Sequence, residues 1–263
     1  MLNHTQNTKK LSQSSSMIAF GYQDSPHPIR GDIGEAHRVY WSRLASPGSW
    51  WSGPERVAIA AESRAARKCN FCVERKQALS PHALENEHGA RGVLSSIAVD
   101  AVHRIVTDQT RITRSWVKSN SESGLSLEAY VELAGIVVAI LSIDEFHRAL
   151  GLPLEALPEP LEGEPDHYRP ANLAYDTGFV PMIPRDGAVG DEADLWAPEF
   201  SANVLRALSL VPNAVRAWKD LSSAQYLSIQ GMRNFVGQDD RSIDRAQMEI
   251  VAGRVSSYNE CFY

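Results

Sequence analysis

Along most of the chain the apolar positions fall three and four residues apart, the spacing that turns one face of an α-helix inward. The first run is Ile33, His37, Tyr40, Trp41 and Leu44, broken by Pro47-Gly48. Ser52-Gly53-Pro54-Glu55 then has the form of a helix start, with a serine cap, proline in the first turn and glutamate three residues after the cap. The Ala-rich stretch from Val57 to Lys68 follows and leads straight into Cys69. Ser80-Pro81 opens another predicted helix, and Ile97 to Thr107 a further one.

The strongest pattern starts after Gly124-Leu125-Ser126. Leu127, Tyr130, Val131, Ala134, Val137, Val138 and Leu141 form one stripe, and Leu133, Ile136 and Ile140 make the other face apolar too. A helix apolar on nearly all sides is expected inside a bundle. Gly151 and Pro153 end it. Prolines then cluster from Pro153 to Pro184 with acidic residues between them, which predicts a linker or extended arm. Helical spacing returns over Ala202–Leu210 and Pro212–Leu221. A last helix is predicted from about Ile243 to Ser257, capped by Ser242 with Asp244 in its first turn. No stretch alternates as a strand would. The expected fold class is all-α, a helical bundle of two related segments, each a polar start and an amphipathic helix ending in a cysteine motif.

Composition adds the limits of this layout. The 263 residues are 43% hydrophobic and 22% charged, an ordinary globular balance. Residues 1–30 are rich in Ser, Asn, Gln and Thr and are expected to be a disordered tail. The predicted organisation is therefore a tail over 1–30, a first segment over 31–152, a proline-rich linker over 153–184 and a second segment over 185–263. The net charge of -6 argues against non-specific nucleic-acid binding. The longest apolar run, Ala134–Ile143, is short for a membrane span, and the N-terminus shows no secretory signal. Three cysteines do not make a disulfide framework, so a cytoplasmic, reducing compartment is expected.

The candidate chemistry lies in those cysteines. Cys69-Asn70-Phe71-Cys72 is a complete C-x-x-C, and Cys261 is followed by only two residues. Two thiols at that spacing on a helix start suit redox chemistry: one thiolate attacks and the other resolves. A zinc site would need two further ligands, for which His82 and His88 are nearest. No metal and no cofactor are expected. The pair also has a bland reading, as small buried residues. Glu87-His88 and His103 read as polar surface groups, His147 as an interface histidine, and Trp50, Trp51, Trp196 and Trp218 as packing anchors.

Three stretches resemble the carboxymuconolactone decarboxylase superfamily, and within it the alkylhydroperoxidase D-like peroxidases. They are residues 245–263, residues 55–72 and residues 124–153. The resemblance implies a thiol-dependent peroxidase with a relay: a Glu twelve residues before the C-x-x-C and a His four after its second cysteine. Glu249 stands twelve before Cys261 and matches the relay carboxylate, and Cys261 matches the resolving cysteine. The attacking cysteine and the relay His would fall beyond Tyr263. A truncation, a frameshift, or a UGA codon meant for selenocysteine would each explain this. In the first segment Cys72 matches the attacking cysteine and Cys69 the resolving one. Lys76 stands at the relay His position and Val57 at the Glu position. Glu55 and Glu62 are the nearest substitutes, with Glu74 and His82 also close. Lys76 would favour a thiolate by charge but holds its own proton until about pH 10.

The resemblance further implies peroxide or disulfide substrates and a dithiol reductant, such as a lipoyl-bearing or thioredoxin-like protein. The lactone decarboxylases of the superfamily do not depend on a C-x-x-C, so its presence argues against that activity. The alternative is a non-catalytic scaffold of the same fold. Apolar faces around Val204, Leu208, Ile250 and Val255 are expected to stay open and to favour a homo-oligomer.

Overall fold

The computed structural model describes residues 19–81, 84, 87–89, 92–197, 201–227, 231–232, 241–258 and 261. Among them the helices are α1 (Gly31–Ala45), α2 (Gly53–Ala66), α3 (Asn70–Gln77), α4 (Ser96–Thr107), α5 (Arg114–Glu122), α6 (Leu127–Ala149), α7 (Asn203–Arg206), α8 (Pro212–Gln225) and α9 (Arg245–Tyr258). Strand-like pairing among these residues is limited to one antiparallel bridge, Ala174 with Met182. The fold is all-α, as the apolar spacing predicts.

The caps explain where the helices begin. Glu55 accepts the Ser52 N–H at 2.9 Å and the Ser52 hydroxyl at 2.7 Å at the start of α2. Ser95, Thr113 and Ser126 accept backbone N–H groups at the starts of α4, α5 and α6. The last helix departs from expectation. Its cap is Asp244 rather than Ser242, with the Gln247 N–H donating to Asp244 Oδ1 at 2.8 Å and the Asp244 N–H to Gln247 Oε1 at 2.9 Å. A carboxylate two residues later satisfies the same N–H groups, so the serine is not needed. At the end of α6, Gly151 takes φ +69°, where glycine carries no Cβ penalty, and the Leu152 N–H closes on His147 O.

α6 is the centre of the bundle. It packs against α2 and α4 on one side and α8 on the other, which is why both of its faces are apolar. Leu44, Ile59, Ala60, Ala98, Ala101, Val102, Leu133, Val137, Ile140 and Ile143 form the sealed core. Each large aliphatic side chain buried there stabilises the fold by about 1.5–3 kcal/mol. Ala60, Ala98 and Ala101 keep α2 and α4 close, and that closeness sets the geometry of the cysteine site. Trp41, Trp51 and Trp196 are buried, and Trp50 and Trp218 half-buried.

The two segments share their packing. α8 lies on α1 and α6, and Leu221 belongs to the same core as Leu44 and Ile140. Residues 153–184 contain no helix and form a strap docked on the bundle. The Trp41 indole donates to Ala156 O at 2.8 Å, the Leu161 N–H to Ala45 O at 2.8 Å and the His167 N–H to Ser49 O at 2.8 Å.

The disordered tail expected over residues 1–30 does not extend through residues 19–30. Phe20 is buried and meets Trp41 edge-on at 4.9 Å between ring centres. Two aromatic anchors, Phe20 and Tyr22, outweigh the polar composition around them. Of the faces expected to be open, Val204, Ile250 and Val255 are exposed, whereas Leu208 packs against neighbouring apolar residues. No single described helix is long and apolar enough to cross a membrane; α5 and α6 together would have the length but meet at a bend of 118°.

Candidate functional site

The helical register of α2 and α4 builds the site. On α2, Ile59, Glu62, Ser63 and Ala66 follow the i, i+3, i+4, i+7 rule and are all buried. On α4, Val99, Val102, His103 and Val106 follow the same rule. Each stripe therefore carries one ionisable side chain inward. Where the helices cross, His103 Nε2 meets Glu62 Oε1 at 2.7 Å, with both side chains sealed from solvent.

α3 delivers the thiols. Cys69 is its N-cap and the Val73 N–H closes the first turn on Cys69 O at 3.2 Å. Cys72 sits in that first turn, where the helix end favours a thiolate. Its side chain is buried and lies 3.1 Å from His103 Nδ1. Cys69 remains partly exposed. His88 comes from the segment before α4. Its Nδ1 lies 3.5 Å from the Cys69 sulfur and 3.7 Å from that of Cys72, and its Nε2 lies 3.0 Å from Asp100 Oδ1. Arg75 braces the same carboxylate at 2.5 Å. The two imidazoles lie 4.0 Å apart between ring centres.

The local charges follow from these contacts. Burial alone would raise the Cys72 thiol, but hydrogen bonds from His103, His88 and Thr107 prevail and bring it down to about 5. Burial likewise disfavours a charged His88, and Asp100 with the two sulfurs prevails there, raising it to about 10. Asp100 is pushed up by burial and pulled down harder by His88 and Arg75, to about 2.

The other expected residues fall elsewhere. Lys76 is exposed and stands at the mouth of an open cleft of about 450 Å³, lined also by Cys69, Cys72, Val73, Thr107 and Tyr258. Val57 packs against the core, Glu55 is engaged in the α2 cap, and Glu74 is exposed. His82 lies outside the described residues. Glu249 is an exposed residue of α9 whose carboxylate accepts from Tyr226 Oη at 2.7 Å and Arg245 at 2.6 Å. The Cys261 thiol is exposed, three residues past Tyr258. None of the three cysteines is in a disulfide.

The reading of His88 and His103 as surface groups is corrected: the His88 side chain is 7% exposed and that of His103 2%. The stripe Val99–Val102–His103–Val106 carried the signal for His103. His88 has no periodic context to reveal it. A cavity of about 540 Å³ lies between α1, α6 and α8, and no cysteine or histidine lines it.

Compared with known protein families, curated proteins and solved structures, the chain matches none.

Proposed function

We propose that the chain is a thiol-dependent oxidoreductase of the alkylhydroperoxidase D-like kind, reducing peroxides through a dithiol/disulfide cycle at Cys69 and Cys72. The observation that carries the reading is the line Glu62–His103–Cys72, at 2.7 Å and 3.1 Å. Glu62 holds the Nε2–H of His103, which leaves the Nδ1 lone pair facing the Cys72 thiol. In the resemblance the relay pair sits at other sequence positions; here α2 and α4 supply it.

The Cys72 thiol gives its proton to His103 Nδ1, and the imidazolium formed is flanked by Glu62. The thiolate attacks the peroxide oxygen, the O–O bond breaks, and the leaving alkoxide takes the proton back from His103 as it becomes an alcohol. Cys72 is then a sulfenic acid. The Cys69 thiol attacks that sulfur, the disulfide forms and water leaves. Two electrons pass from the dithiol to the O–O bond. Cys69, the more exposed sulfur, is the point at which an external dithiol reductant would open the disulfide.

The test uses the reduced, chelator-treated full chain and an organic hydroperoxide with a small dithiol as reductant. Cys72→Ser abolishes turnover. Cys69→Ser stops at a sulfenic acid on Cys72, trapped by a dimedone-type reagent. Cys261→Ser retains turnover. Peroxide consumption by Cys72→Ser at the native rate overturns the reading.

A further inference from the structure

We infer that Cys69, Cys72, His88 and His103 together bind one divalent metal ion, zinc by donor type, in a closed tetrahedral site. The inference rests on the donor geometry alone and not on the peroxidase reading, although the two share both sulfurs.

One ligand atom from each of the four residues lies within 4.8 Å of all the others. Zn–S bonds of about 2.3 Å and Zn–N bonds of about 2.0–2.1 Å set sulfur–nitrogen edges of about 3.6 Å in a tetrahedron. Three of the four sulfur–nitrogen distances are 3.1, 3.5 and 3.7 Å, and the fourth, Cys69 to His103, is within 4.8 Å. Both histidines offer the same atom, Nδ1, to the sulfurs.

The outer contacts point the same way. A histidine that binds a metal through one nitrogen usually donates its other N–H to a carboxylate, which fixes the ring and the tautomer. Both rings here do so, His103 to Glu62 at 2.7 Å and His88 to Asp100 at 3.0 Å. Arg75 in turn holds Asp100 at 2.5 Å. A single relay histidine would need one such carboxylate; two histidines converging on two sulfurs, each with its own, is the arrangement of a four-ligand shell.

Two thiolates and two imidazoles select zinc over magnesium or calcium, which take oxygen donors. Two thiolates also neutralise a divalent ion. With four protein ligands there is no open position, so the site is a structural clasp of the kind that joins separate elements. It ties the start of α3 and the segment carrying His88 to the buried face of α4.

The sequence offered His82 and His88 as further ligands and did not pair His103 with the cysteines, because the two lie far apart along the chain. A consequence links this site to the redox reading. Bound metal holds both sulfurs, so metal-loaded and disulfide forms exclude each other. A peroxide that oxidises the loaded site takes two electrons from the two thiolates and, with two protons, becomes water and alcohol as the disulfide forms and the ion leaves.

The test titrates Co²⁺, then Zn²⁺, into the reduced, metal-free full chain under anaerobic conditions. One Co²⁺ per chain is expected, with the intense visible bands of a tetrahedral ion and a near-ultraviolet thiolate-to-cobalt band, both removed by zinc. His88→Asn, on a segment outside the helices, loses the tetrahedral spectrum while its helix content stays native. Glu62→Gln weakens zinc by about 10- to 100-fold, and Cys261→Ser changes nothing. A featureless cobalt titration, or a full tetrahedral spectrum in His88→Asn, overturns the inference. Metal binding without peroxide turnover by the metal-free protein overturns only the peroxidase reading; turnover without metal binding overturns only the metal site.

Discussion

Glu62 and His103 meet 2.7 Å apart, both side chains nearly inaccessible to solvent, one from each of two helices held close by alanines. Neither could be buried without the other, because an unpaired carboxylate or an unsatisfied imidazole N–H there would be costly. Their pairing points His103 Nδ1 at Cys72. His103→Asn should therefore slow peroxide-driven disulfide formation by about 100-fold or more, the usual worth of a positioned base. Glu62→Gln keeps the shape and loses a charge-assisted hydrogen bond, so about 10- to 100-fold is expected. Glu249→Gln should leave the rate unchanged. Stopped-flow thiol loss on metal-free protein measures all three, and an effect of Glu249→Gln as large as that of Glu62→Gln would return the relay to α9.

Much of the fold was legible in the spacing of apolar residues. The two-faced pattern after Ser126 requires a helix packed on both sides, and α6 is one. The Ser52–Glu55 cap and the Gly151 stop are local chemistry, and they stand where the sequence puts them. The site was legible only in part. Cys69 and Cys72 announce themselves by spacing. Glu62 stood among the substitutes, but its partner is set by a helix crossing, which no local pattern encodes. Matching a relay by sequence offset led to Lys76 and Val57, one exposed and one packed against the core. Residues 19–30 and 153–184 were harder still. Their few anchors, Phe20, Tyr22 and Leu157, are outnumbered by polar residues and prolines, and their docking uses backbone groups that carry no residue signature.

Glu132 and Arg56 form a buried pair beside the cavity between α1, α6 and α8, and Glu132 also accepts the Trp50 N–H at 2.6 Å. Burial pushes the Glu132 carboxyl up, against the pull of Arg56 and the Trp50 N–H. Removing the carboxylate strands a guanidinium that has little access to water. Glu132→Ala should cost about 3–5 kcal/mol in urea unfolding. The double variant Arg56→Met/Glu132→Gln should recover part of that loss, since no lone charge is left behind. A loss under about 1 kcal/mol in Glu132→Ala would mean that the pair is effectively solvated.

A chain of hydrogen bonds joins the N-terminal arm to α1, α6, α8 and the start of the 153–184 strap. Gln225 Nε2 donates to His37 Nε2 at 2.9 Å, His37 Nδ1 pairs with Tyr22 Oη, Tyr22 Oη with His147 Nε2 at 3.1 Å, and His147 Nδ1 donates to Pro153 O at 2.7 Å. Every step is satisfied with His37 neutral. Burial, then His147 and Arg38, lower His37 to about 4. The unfolded chain binds a proton there near pH 6.5 and the native one does not until about pH 4. Stability should thus fall as pH drops from about 6.5 toward 4, by up to about 3 kcal/mol from this group. His37→Gln should flatten that part of the melting-temperature profile, and an unchanged slope would remove His37 as the cause.

Gly53, the first residue of α2, lies where the strap crosses the end of α1. A Cβ there would stand 2.3 Å from Leu161 O and 2.5 Å from Ala45 O, both backbone atoms that cannot swing away. The same two residues are joined by the Leu161 N–H to Ala45 O bond at 2.8 Å. Gly53→Ala must therefore displace the strap or the end of α1, at a cost of about 1–3 kcal/mol. Gly31→Ala is the control, since its Cβ would meet nothing within 4 Å. Because the strap carries Glu155-Ala156 and Glu162-Gly163, two bonds open to a glutamate-specific protease, cleavage there reports its docking directly. Cleavage at these sites should accelerate in Gly53→Ala and not in Gly31→Ala. Equal cleavage and equal stability in the two variants would mean that residues 153–184 are the loose tether their composition suggests.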